Sequence, residues 1–111
     1  MNEYTPDKWI ILKFTYNNDV IFKVLAGWSG SYLCGQSWKL NSGITKIEIE
    51  NDYYLFYGYS GSIYKCHKHG YGTNLITAST LESFKKQIKD SAADASMEVI
   101  EFKDVEHIME G

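Results

Sequence analysis

The sequence predicts an α+β domain: mainly antiparallel β-sheet, closed as a small barrel or stacked as a sandwich, with one amphipathic helix and a C-terminal strand. Three observations predict it. Short segments alternate apolar and polar residues and are separated by Asn, Asp and Gly turns, the signature of antiparallel strands. One stretch over residues 79–91 changes to helical spacing. A five-residue phrase occurs twice, as Gly27-Trp28-Ser29-Gly30-Ser31 and as Gly58-Tyr59-Ser60-Gly61-Ser62. Each copy follows a hydrophobic run and precedes a tyrosine-containing run that reaches Cys34 or Cys66. A length of 111 residues suits a single domain, 1–111, that buries a core without metal or disulfide staples.

Residues 1–7 are polar, hold the only proline, Pro6, and read as a loose N-terminus. Trp9 to Tyr16 reads as a strand, with Ile10, Leu12, Phe14 and Tyr16 on one face and Trp9, Ile11, Lys13 and Thr15 on the other. Asn17-Asn18 is a hairpin turn, because Asn tolerates positive φ. Asp19 to Ala26 returns. Tyr32-Leu33-Cys34 begins another strand, which Gly35 to Leu40 continues after a bulge, and Asn41-Ser42-Gly43 turns. Ile44 to Glu50 alternates cleanly, with Lys46, Glu48 and Glu50 on a wet face. Asn51-Asp52 turns into the aromatic strand Tyr53–Tyr57. Ile63 to His67 follows the second phrase, and Lys68 to Asn74 is a loop. Ser79 and Glu82 form a capping box that starts a helix over 79–91, with Leu81, Phe84, Ile88 and Ala92 as its buried stripe. A strand over 97–102 and a last helical turn, capped by Asp104 and carrying Val105, Ile108 and Met109, close the chain.

The repeat extends beyond the phrase. An offset of 31 positions aligns Phe22 with Tyr53, Val24 with Leu55 and Gly27 with Gly58. After one inserted residue Cys34 meets Cys66 and Ile44-Thr45 meets Ile76-Thr77. This predicts two related hairpin units, 19–45 and 50–77. Similar turns demand similar residues, which explains the match without function. The sharper reading packs the two hairpins about a pseudo-two-fold axis, so that both phrases form one composite binding surface of rings, hydroxyls and turn amides.

Composition excludes some function classes. The net charge of −3, with eleven lysines and no arginine, argues against nucleic-acid binding, which needs basic surface and favours bidentate Arg. No basic leader and no long apolar run occurs, so the expected location is the cytoplasm, away from membranes, with both cysteines as free thiols. Cys66-His67-Lys68-His69 with Cys34 invites zinc. Neighbours on a strand point to opposite faces, however, so the spacing does not build a tetrahedral site. Gly-Trp-Ser-Gly-Ser lacks the final glycine and following helix of a nucleophile elbow. Gly-Tyr-Ser-Gly-Ser lacks the Lys-Ser/Thr ending of a phosphate loop. No catalytic residue, metal or cofactor is therefore expected. An aromatic content of 15%, mostly nine tyrosines, suits a β-rich core or an adhesive surface, and rings beside glycine turns can stack a base. The acidic residues Glu98, Glu101, Asp104, Glu106 and Glu110 read as a solvated edge.

Two stretches carry a resemblance: Gly27-Trp28-Ser29-Gly30-Ser31-Tyr32-Leu33 with Ser37-Trp38-Lys39-Leu40-Asn41-Ser42-Gly43-Ile44-Thr45, and Tyr53-Tyr54-Leu55-Phe56-Tyr57-Gly58-Tyr59-Ser60-Gly61-Ser62 with Tyr64-Lys65-Cys66-His67-Lys68. Together, over about residues 9–72, the chain resembles small accessory proteins of tailed bacteriophages. No established activity attaches to that family, so no site residue is carried over. The resemblance implies context: such proteins often bind a host or defence component.

The functional expectation is a non-enzymatic binding protein, a phage-encoded inhibitor of a bacterial host or anti-phage defence protein, acting in the host cytosol. The alternatives are a sponge for a nucleotide immune signal and a small metal-dependent or cysteine enzyme. A homo-oligomer stays open. The candidate binding residues are Trp28, Ser29, Gly30, Ser31, Tyr32, Trp38, Tyr59, Ser60, Gly61, Ser62, Tyr64, His67, His69 and Tyr71.

Overall fold

A computed structural model describes residues 2–29, 37–91 and 94–109. Among the described residues the strands are β1 (Glu3–Tyr4), β2 (Lys8–Tyr16), β3 (Asp19–Trp28), β4 (Ser37–Leu40), β5 (Ile44–Glu50), β6 (Tyr53–Gly58), β7 (Ile63–His67) and β8 (Ala95–Val99). One helix, α1 (Leu75–Asp90), and two 3₁₀ turns, Lys68–Gly70 and Phe102–His107, complete the described elements. The strands form two four-stranded sheets, ordered β1-β7-β6-β5 and β4-β3-β2-β8. The fold is α+β and the sheets stay open, so the sandwich alternative holds and the barrel does not.

The run Trp9-Ile10-Ile11-Leu12 explains the layering. All four residues are buried, so β2 is covered on both faces. Trp9 and Ile11, with Val24 and Ala26 of β3, meet Tyr54, Phe56, Tyr64 and Cys66 of the other sheet. Ile10, Leu12 and Leu25 face the opposite way and receive Leu81 of α1, flanked by Phe84 and Met97. The molecule is thus sheet on sheet on helix, with Val105 of the last 3₁₀ turn closing one end of the inter-sheet core. Among the described residues no helix is long and apolar enough to cross a membrane.

The hairpin turns follow their sequence chemistry. Asn17 and Asn18 both take positive φ, and β2 and β3 pair from Tyr16↔Asp19 to Lys8↔Gly27. Asn51 does the same between β5 and β6.

Three expectations need correction. Residues 2–7 are not loose. β1 pairs parallel to β7, Asn2 O accepts from Ile63 N at 2.8 Å, Gly27 O accepts from Asp7 N at 3.0 Å, and Pro6 is buried. A partner sixty residues away leaves no local signature, and a two-residue strand has no period to read.

The helix begins at Leu75, not 79. Asn74 Oδ1 accepts from Thr77 N and Thr77 Oγ1 accepts from Asn74 N, both at 2.9 Å. This reciprocal box lies one turn upstream of the Ser79/Glu82 pair and takes the cap. The last strand ends at Val99 rather than 102, because its pairing with β2 runs from Tyr16↔Ala95 to Leu12↔Val99. The chain then enters the 3₁₀ turn at Phe102, ahead of Asp104.

Both copies of the doubled phrase fall between consecutive antiparallel strands, β3 and β4 in one case and β6 and β7 in the other, and Gly30 and Ser31 of the first copy lie outside the described residues. Gly27 lies inside β3, between Lys8 of β2 and Trp38 of β4. A Cβ there would stand 2.6 Å from Thr77 Cγ2, so this glycine lets the start of α1 seat on the sheet. The second copy is a tight turn: Gly58 N donates to Ser62 O and Gly61 N to Gly58 O, each at 3.0 Å, with Gly61 at φ +89. The strand expected to start at Tyr32-Leu33-Cys34 lies outside the described residues.

Candidate binding groove

The unforeseen β1 decides where the exposed aromatics gather. Its parallel pairing with β7 lays the Tyr4 ring 5.2 Å from Tyr64, centroid to centroid. Trp28, the last residue of β3, meets the same Tyr4 ring edge-on at 6.3 Å and donates its Nε1–H to Thr5 O at 3.0 Å. β4 runs beside β3 with Ser37 opposite Trp28 and Trp38 opposite Gly27. Trp38 leans edge-on against Phe84 of α1 at 5.8 Å and remains 40% exposed. Lys39 places its Nζ 5.1 Å from the centre of the Tyr4 ring.

Together Glu3, Tyr4, Thr5, Trp28, Ser37, Trp38 and Lys39 line an open groove of about 460 Å³. Its lining holds three aromatic residues, one carboxylate and one ammonium. Asp7 Oδ2 fixes the end of β3 by accepting from Ser29 N at 2.7 Å. The groove can bury rings or aliphatic side chains of a ligand while Glu3 and Lys39 meet charges at its edge.

Of the sequence candidates, Trp28, Ser29 and Trp38 belong to this corner. Gly30, Ser31 and Tyr32 lie outside the described residues. The other candidates go elsewhere. Tyr59 is 69% exposed but sits on Gly43, lining a separate hollow with Val20, Phe22 and Ile108. Ser60, Gly61 and Ser62 form a shallow hollow with Asn2, and Ser60 N is held by Ser42 Oγ at 3.0 Å. The described parts of the two phrases therefore line separate hollows. β1 lies between them, with Asn2 at the second phrase and Tyr4 at the first.

Tyr64 and Tyr71 are corrected from binding residues to structural ones. Tyr64 is 4% exposed, and burial raises its pKa. Tyr71 Oη accepts from Ile11 N at 3.1 Å and donates to Ile100 O, and its ring stands edge-on to Trp9 at 4.7 Å. Burial raises the Tyr71 pKa, against a lowering by the Ile11 N–H. Tyr54 donates to Glu106 Oε1 at 3.0 Å and is pushed up to about 12, by burial first and the carboxylate second. These phenols stay neutral near pH 7.

His67 has its Nδ1 occupied by the amide of His69 at 3.0 Å, and its carbonyl accepts from Trp9 Nε1 at 2.7 Å. The two imidazoles lie 5.2 Å apart on the sheet rim, away from the groove. Cys66 is a buried free thiol whose pKa burial raises well above the ordinary value, which leaves it protonated and inert. Among the described residues no three His, Cys, Asp or Glu side chains converge for a metal ion.

Sequence reasoning missed Glu3, Tyr4, Thr5, Ser37 and Lys39. An aromatic residue two positions before the only proline was the one signal that the N-terminus docks. Compared with protein-family models, curated proteins and solved structures, the chain matches none.

Proposed function

We propose that this chain is a non-enzymatic binding protein that receives a segment of a bacterial protein in the Tyr4–Trp28–Trp38 groove. The observation that carries the reading is one open groove lined by Tyr4 of β1, Trp28 of β3 and Trp38 of β4 together with Glu3 and Lys39. Aromatic residues packed around a desolvated centre, with charge at the rim, are what dominates binding energy in protein interfaces. The resemblance to phage accessory proteins names the partner class: a host or anti-phage defence component, inhibited by occlusion in the host cytosol.

The test is affinity capture from bacterial lysate with the wild-type chain and Trp38→Ala in parallel, followed by mass spectrometry. A protein recovered by the wild type and lost with the variant supports the reading. Equal recovery by both refutes the groove. Melting-point shifts with cyclic and linear nucleotides, and no captured protein, would instead favour a nucleotide sponge, with Tyr4 or Trp38 as the stacking ring and Lys39 near the phosphate.

A further inference from the structure

Strand β5 ends its sheet, and among the described residues no strand pairs with its outer edge. Its pairing with β6 runs Glu50↔Tyr53, Ile49↔Tyr54, Glu48↔Leu55, Ile47↔Phe56 and Lys46↔Tyr57, closed by the two-residue turn Asn51-Asp52. In a two-residue hairpin the flanking residues exchange hydrogen bonds, and bonding then alternates along the ladder. Glu50, Glu48 and Lys46 therefore bond inward to β6. The N–H and C=O of Ile47 and Ile49 point outward, ready to pair with another strand. Ile49 is 55% exposed.

The side chains of this edge are self-complementary in one register. Lys46 and Glu48 share the outer sheet face, 3.7 Å apart. Tyr57 holds both: its hydroxyl donates to Glu48 Oε1, and Lys46 Nζ lies 4.4 Å from its ring centre. If a second β5 lies antiparallel with Ile47 opposite Ile47, each Lys46 faces the Glu48 of the other copy, and Thr45 faces Ile49. Centring on Glu48 or Lys46 puts like charges directly opposite. Centring on Ile49 puts Glu48 against Glu50. Like charges in opposed positions destabilise a pair and opposite charges stabilise it. The register irregularity between Ile44 and Lys46 limits the ladder to the segment from Thr45 to Ile49.

We infer that the chain self-associates through β5, two copies joining antiparallel about Ile47 into one continuous eight-stranded sheet. The partner is a second copy of this chain. The inference rests on the edge alone and does not depend on what fills the groove.

Charge reversal tests it by sedimentation velocity across a concentration series. The wild type should show a monomer–dimer equilibrium. Lys46→Glu sets two carboxylates against each other in both cross-strand pairs, and Glu48→Lys sets two ammonium groups against each other. Each variant alone should dimerise about tenfold or more weakly, since two cross-strand pairs change sign. An equimolar mixture of the two variants should recover the dimer as a heterodimer, and the double variant K46E/E48K should recover it as a homodimer. Far-UV circular dichroism verifies that each variant is folded, and recovery in the mixture cannot come from unfolded chains. A wild type that stays monomeric up to its solubility limit overturns the inference. So does a mixture no more associated than its separate components.

Discussion

Replacing Tyr71 by Phe probes the polar bridge at the interior of this fold. The hydroxyl joins three segments: Tyr71 itself in the loop before α1, Ile11 in the middle of β2, and Ile100 just after β8. Phe keeps the ring contacts with Trp9 at 4.7 Å and Phe102 at 5.4 Å, so the apolar contribution is nearly unchanged. What is lost is the acceptor for the Ile11 N–H and the donor to the Ile100 carbonyl. Ile11 is fully buried, so its amide has no water to replace the phenol. A buried group left unpaired costs about 1–3 kcal/mol, and the half-buried Ile100 carbonyl regains part of its loss from solvent. The expected cost is therefore about 2 kcal/mol, or a fall in melting temperature of roughly 8–12 °C for a chain of this size. Urea unfolding followed by tryptophan fluorescence reads it as a lower midpoint at unchanged slope. A loss below about 0.5 kcal/mol, the range of an ordinary surface change, would refute the bridging role. Partner binding, measured where the variant is still folded, should be unaffected, which separates this tyrosine from the groove residues.

Other expectations follow from the same geometry. Gly27→Ala forces a methyl to within 2.6 Å of Thr77 Cγ2 and should cost about 1–3 kcal/mol in urea unfolding, by pushing the start of α1 off the sheet. Asn74→Ala removes the reciprocal cap and should cost about 1 kcal/mol, whereas Ser79→Ala, inside the helix, should cost almost nothing. Tyr54 has its folded-state pKa raised from 10.0 to about 12, so the neutral phenol is the form the fold favours. Its contribution is whole below pH 10 and is lost as pH rises through the interval up to about 12. Melting temperature should decline across that interval, and Tyr54→Phe should flatten the decline.

The readable parts of the chain were those whose signals are local. Trp9-Ile10-Ile11-Leu12 is apolar on both strand faces, and it became the strand covered on both sides. Asn17-Asn18 and Asn51-Asp52 marked their turns because positive φ has few tenants. The groove was only half readable. Trp28 and Trp38 stand out by residue type, but Tyr4 reaches them through parallel pairing with Tyr64, which no window along the chain contains. The doubled phrase was ambiguous for a physical reason. Glycine permits both a turn and a close approach: Gly61 takes a turn's positive φ, while Gly27 and its counterpart Gly58 sit close to different neighbours, Thr77 and Ser42. Tyrosine was ambiguous in the same way, since a ring with a hydroxyl suits a bridged interior, as at Tyr71, as well as a sticky surface.

The central claim is that Trp38 and Tyr59, which the repeat invites one to treat alike, differ in function because only Trp38 stands in the groove. Isothermal titration calorimetry of the captured bacterial protein against wild type, Trp38→Ala and Tyr59→Ala tests this directly. Trp38→Ala should weaken binding by at least about 2 kcal/mol, roughly thirtyfold, as loss of a hot-spot ring does, while Tyr59→Ala should bind like the wild type. Equal affinity for wild type and Trp38→Ala, or a loss confined to Tyr59→Ala, would contradict it.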